Sequence, residues 1–174
     1  MSTSASSRIS IVIPPQGIFV DEDRTFGGQA LFVDLIPSSC WFTNVRSSIK
    51  PKEWEGLRQV LLNRADHQCE ICGVKHLPKR PLEAHERWAY HDQLHLQKLT
   101  RLLMLCKSCH RTTHFGLAQK MGFGEMALKH LMKVNQWDRQ QSIIHIQKAF
   151  ILWQQRNHYS WQLDITMLTQ RDHC

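Results

Sequence analysis

Cys69-Glu70-Ile71-Cys72-Gly73 and Leu105-Cys106-Lys107-Ser108-Cys109-His110-Arg111-Thr112-Thr113-His114 are the two stretches that decide how this chain folds. Two residues between cysteines let both sulfurs reach one ion at about 2.3 Å, and the glycine after the first pair relaxes its tight turn. Two such pairs, Cys69/Cys72 and Cys106/Cys109, complete a tetrahedron of thiolates, a donor set that selects zinc over magnesium or calcium. Four protein ligands close the coordination sphere, so the expected zinc is structural. Residues 73–105 separate the pairs, more than a plain zinc ribbon needs, and something must fold between them. Of the six cysteines, Cys40 and Cys174 remain; Cys40 lies in an apolar stretch and reads as packing, and Cys174 carries no expected role.

The chain has 174 residues, enough for one domain or a small domain with an attached subdomain, and an apolar fraction of 42% sustains a core. A formal net charge of +7 favours a polyanionic partner, most simply nucleic acid. The first ten residues are polar and Ser-rich, without an apolar leader segment, and no apolar run is long enough to span a bilayer. The expectation is a cytoplasmic protein with no membrane attachment, in which cysteines bind metal rather than form disulfides.

Working outward, residues 1–10 read as a disordered tail and 11–64 as a β-rich segment followed by a helix. The β-prone Ile11, Ile13, Phe19 and Val20 are punctuated by Pro14-Pro15 and Gly27-Gly28, and residues 30–36 form an expected strand closed by Pro37. Cys40-Trp41-Phe42 reads as core. Pro51 suits a first helical turn, with Ser48 as the cap, and Trp54, Leu57, Val60 and Leu61 recur on one helical face. After a central module at 65–116, residues 117–174 hold two further helices, one over 124–134 and one capped by Asp138 and reaching about Gln155. An alternating terminal strand is expected over 161–168. The fold class is α+β.

The stretch between and after the cysteine pairs is rich in histidine. Pro81-Leu82-Glu83-Ala84-His85-Glu86-Arg87-Trp88 reads as a strand. The second cysteine pair should open a helix on which His110 and His114, at i and i+4, share one face. That spacing can grip an ion, and His85 from a facing strand would supply a third ligand. His91 and His95 read as solvent-facing loop residues. Lys75, Lys79, Arg80, Arg87, Lys98, Arg101, Lys107, Arg111 and Lys120 supply charge for phosphate contacts, which position a duplex but read no sequence.

In this order, Cys-x-x-Cys, then Leu-Glu-x-His, then Leu-Cys-x-x-Cys-His-x-x-x-His, the chain resembles the HNH endonucleases over about residues 65–116. The resemblance implies a ββα-metal fold, a β-hairpin leading into a helix, stapled by the four-cysteine zinc. It implies a catalytic cation such as Mg²⁺, Mn²⁺ or Ni²⁺ on His85, His110 and His114, and it aligns Glu86 with the general base. The family carries histidine where this chain has Glu86 and asparagine where it has Arg101; an alternative alignment puts His85 on the base and Ala84 at the ligand position. A glutamate can serve as base if its pKa is raised, and Arg101 could hold a phosphate. Two functions follow as expectations: a metal-dependent endonuclease acting on DNA, with His85, Glu86 and His110 catalytic and Arg87, Arg101, Lys107 and Arg111 on the nucleic acid, or a catalytically inactive zinc-stabilised module that binds nucleic acid or protein. A zinc deaminase is a third and disfavoured reading, because His85 and Glu86 are adjacent and Leu105 stands where its motif needs proline.

Overall fold

Local signals set most of the helices. The computed structural model describes residues 8–75, 77–79 and 81–170. A short helix α1 (Val45–Ser48) is capped by Asn44, whose Oδ1 accepts the Ser47 N–H at 2.9 Å. Helix α2 (Pro51–Arg64) follows, with proline in its first turn as expected; its cap is Lys50, while Ser48 closes α1 instead. Asp138 caps α6 (Arg139–Arg156) reciprocally, its carboxylate accepting Gln141 N–H at 2.7 Å and the Gln141 amide oxygen accepting Asp138 N–H at 2.9 Å. Between these lie β1 (Leu82–His91), β2 (Leu96–Cys106), α3 (Lys107–Thr113), α4 (Phe115–Lys120) and α5 (Gly124–Asn135). A three-residue strand β3 (Gln162–Asp164) and α7 (Thr166–Thr169) end the described chain.

The architecture is mixed α+β around one small sheet, ordered β1-β2-β3. β1 and β2 form an antiparallel hairpin in which Leu82 faces Cys106 and His85 faces Leu103, with a bulge between Arg87 and Trp88. β3 joins β2 in parallel, Leu96 facing Gln162. One apolar core runs through every segment, from Phe19 and Leu31 through Leu57, Leu61 and Leu99 to Leu131 and Leu168.

The N-terminal stretch is where the sequence misleads. No strand forms over residues 11–64 among the described residues; the expected helix is present as α2, while the β-rich expectation ahead of it is corrected to coil broken by turns. Residues 30–36 are apolar and extended, but no neighbouring strand is available to them. Their backbone groups bond to helices instead: Leu31 N–H to Asn135 Oδ1 at 2.8 Å, Val33 N–H to His145 Nε2 at 3.0 Å, and Asp34 N–H to the Thr113 carbonyl at 3.0 Å. The terminal strand is also shorter than its alternation suggests. Asp164 Oδ1 accepts the Thr166 N–H at 2.9 Å and its hydroxyl at 2.6 Å, which turns the chain into α7. Cys40 is buried as expected, but Trp41 is 57% and Phe42 86% exposed, so that tripeptide is only partly core. Most of the expected 1–10 tail, with Arg80 and Cys174, lies outside the described residues; Ile9, at the tail's end, donates its N–H to the Ser48 carbonyl at 2.8 Å.

β3 covers only the start of β2, and the rest of that edge is closed without a strand. Asp23 N–H bonds the Thr100 carbonyl at 3.0 Å. Leu102 donates its N–H to Glu22 Oε1 at 2.9 Å, and its carbonyl accepts from Arg64 Nη2 at 2.7 Å. Arg64 and Glu22 pair at 2.6 Å with side chains 9% and 2% exposed, a buried ion pair whose remaining hydrogen bonds go to backbone. Met104 bonds Glu70 through both backbone groups. This edging fixes the hairpin, and the hairpin positions both clusters described next.

Candidate metal centres

The four cysteines come together from one turn and from the junction of β2 with α3. Cys69 and Cys72 sit on a tight turn in which Gly73 N–H bonds the Cys69 carbonyl at 2.9 Å and Gly73 takes a φ of +71°, the conformation for which glycine is suited. Glu70 ties this turn to β2 and to Arg24, 2.7 Å from its carboxylate. Cys106 ends β2 and caps α3, its sulfur accepting the Cys109 N–H at 3.4 Å. All four Sγ atoms lie within 4.8 Å of one another, and Cys72 Sγ is 3.6 Å from Cys106 Sγ. This is a donor set that could hold a metal such as zinc. Sharing hydrogen bonds with Cys106 and Cys109 pulls the Cys69 thiol down, while burial pushes Cys72 up to about 11. Four thiolates so close together call for a cation to balance their charge.

The second cluster shares α3. His85 on β1 projects toward His110 and His114, with ring centroids 5.4 and 5.1 Å away; His110 and His114 are 4.6 Å apart, as their spacing requires. The three offer ligand nitrogens that all lie within 4.8 Å of one another. His85 is 4% exposed, flanked by Phe32 at 5.8 Å, and its Nε2 has no hydrogen-bond partner among the described residues. An unpaired buried nitrogen is costly, and a cation would satisfy it. Burial holds the His85 pKa well below its usual value and brings His114 down to about 4, so both rings are neutral, the form that ligates metal.

Glu83 completes this cluster and was not singled out by the sequence reading. Its carboxylate lies 2.6 Å from His110 Nδ1, and that hydrogen bond lowers its pKa. A carboxylate on one ring nitrogen fixes the tautomer and turns the other nitrogen toward a metal. The signal was present: Glu83 and His85 are two apart on a strand and therefore share a face.

Glu86 does not join them. One residue beyond His85, it emerges on the opposite face of β1, and its Oε1 accepts the Val45 N–H of α1 at 3.0 Å. Burial raises its pKa to about 7, as a base would need, but its carboxylate is spent on α1 and not on the histidines. Arg101 is 2% exposed, and its guanidinium donates to the carbonyls of Phe26 at 3.1 Å and Gly28 at 2.9 Å, so it is not at a surface where a phosphate could reach it. Arg87 is partly buried, stacked on the Phe32 ring at 3.4 Å. Any side chain on Gly27 would collide with its guanidinium. Arg111 lies over the Phe123 ring at 4.2 Å, and Lys107 is exposed at the start of α3. Of the four expected nucleic-acid contacts, Lys107 is the one that is exposed. His91 and His95 are exposed as expected, His95 stacking on Tyr159 at 4.5 Å.

Among the described residues no helix is long and apolar enough to cross a membrane. Compared with known protein families, with curated proteins and with solved structures, the chain matches none.

Proposed function

We propose that the chain is a metal-dependent nuclease of the HNH type, in which β1, β2 and α3 form the ββα-metal module, zinc occupies the four cysteines, and His85, His110 and His114 hold a catalytic Mg²⁺, Mn²⁺ or Ni²⁺. The observation that carries this reading is the clustering of His85, His110 and His114, whose ligand nitrogens lie within 4.8 Å of one another, beside the unpaired Nε2 of the buried His85. When bound, such a cation supplies charge to the scissile phosphate and its leaving oxygen. The chain's own part is to present three nitrogens, to hold His110 in one tautomer through Glu83, and to keep the inner side of the cluster dry with Phe32. Glu86 has no part in proton transfer on this reading. Exposed lysines, Lys107 and Lys120 among them, would meet the phosphates of DNA.

A second reading, a zinc-stabilised module that binds nucleic acid or protein without cleaving it, is favoured by one observation: the residues at both altered family positions, Glu86 and Arg101, are engaged with the chain's own backbone. A plasmid-nicking assay with Mg²⁺, Mn²⁺ and Ni²⁺ separates the two. The nuclease reading expects metal-dependent nicking that is lost in His85→Ala and His114→Ala. Inert wild type that still retards DNA in a gel would transfer the chain to the second reading.

A further inference from the structure

The cysteine cluster has a neighbour from outside the stretch that resembles a nuclease. His130, on α5, places Nε2 3.2 Å from Cys109 Sγ. The approach is built rather than incidental, because α5 is fastened to α3 beside it. Thr112 Oγ1 reaches the Ala127 carbonyl at 3.4 Å, and Arg111 contacts the Met126 sulfur at 3.2 Å while lying over Phe123. Ala127 and His130 are three apart on one helix and face α3 together. Cys109 itself is fully buried, so no water competes for its sulfur.

We propose that His130 is the outer partner of the zinc centre: its Nε2–H donates to the Cys109 thiolate, as the Cys109 backbone N–H donates to Cys106. The inference rests on the cysteines holding zinc. His130 is not a fifth ligand: among the described residues the donors of this cluster that lie within 4.8 Å of one another are the four sulfurs alone, and His130 meets the cluster through Cys109 Sγ. Its role is positioning and electronic. A hydrogen bond to a zinc thiolate draws electron density from the sulfur, offsets the excess negative charge of a four-thiolate centre, and makes that sulfur a poorer target for electrophiles. It also couples α5 to the metal, so that losing zinc and loosening α5 become one event.

Two substitutions in the full-length chain separate donor from packing. His130→Gln keeps an N–H near the sulfur; His130→Phe keeps the ring and removes the donor. Each is loaded with Co²⁺ to read the sulfur-to-cobalt charge-transfer band, and with Zn²⁺ to time metal transfer to a chromogenic chelator. The phenylalanine variant should move the charge-transfer band to longer wavelength, leave the ligand-field bands of four-sulfur cobalt unchanged, and release zinc about tenfold faster. The glutamine variant should stay near wild type in both. Wild-type behaviour in both variants, or equal disturbance in both, overturns the inference while leaving the zinc centre standing. Wild-type protein that carries no zinc removes the centre and the inference together.

Discussion

Cys109 and His110 are consecutive on one short helix, yet they belong to clusters built by opposite rules. The cysteine cluster is made of groups that repel one another once ionised, brought together by a turn and the β2–α3 junction, and a cation would balance their charge. The histidine cluster is made of rings already oriented: Glu83 holds His110, and burial keeps His85 and His114 uncharged. The first is a site whose ligand would shape the protein; the second is a site the protein has shaped before any ligand arrives. The difference teaches that burial near a metal does two jobs, raising the demand for charge in one place and preparing uncharged donors in another.

The comparison breaks most visibly at the cysteines. Cys106→Ser, or stripping zinc with a chelator, should unfold the region around β2 and α3, because zinc binding in structural sites of this kind is worth of the order of 10 kcal/mol. Loss of cooperative melting alongside zinc stoichiometry by elemental analysis checks it; a stripped protein that melts like wild type would remove the distinction between the clusters. His85→Ala should leave zinc content and the melt nearly intact while abolishing binding of the second divalent ion, measured by calorimetry with Mn²⁺ or Ni²⁺. Glu83→Gln is expected to be milder, weakening that second ion about tenfold through loss of the carboxylate on His110, with zinc untouched.

The smallest effect concerns Glu86 and carries a sign. Its folded pKa of about 7 lies above the ordinary glutamate value, so its contribution to stability is fully present below about pH 4 and is lost as pH rises through about 7. Glu86→Gln should therefore melt higher than wild type at pH 8, match it at pH 5, and change nicking by less than about twofold; abolished nicking would restore Glu86 as the base. His85 and His114 run the other way. Both folded pKa values are depressed; His114, brought down to about 4, stabilises the metal-free protein above about pH 6.5 and gives that up as pH falls through about 4, each unit of depression being worth about 1.4 kcal/mol.

What was legible in the sequence was what is local. The cysteine pairs, the helical spacing of His110 and His114, the Asp138 cap and the stripe of α2 are each set within a few residues, and each is present. What depended on a distant partner was not legible. Residues 30–36 have strand chemistry but met helices, and β propensity is silent about which neighbour will come. Arg101 reads as a surface cation until the 26–28 loop folds over it. The separation of His85 from Glu86 could have been read, because adjacent residues on a strand point to opposite faces; a motif that takes them as a pair hides that. Glu83 and His130 went unremarked, one overshadowed by the histidines and the other lying on a helix with no motif of its own.

The closure of β2 by Glu22, Asp23 and Arg64 bears on how far the chain can be dissected. A fragment trimmed to residues 65–116 would keep every cysteine and histidine of both clusters. It would also strand the Leu102 N–H and carbonyl, the Thr100 carbonyl and the guanidinium of Arg101, whose partners all lie in the first 64 residues. The portable unit is therefore larger than its motif: to transplant these clusters into another scaffold is to carry the N-terminal coil with them.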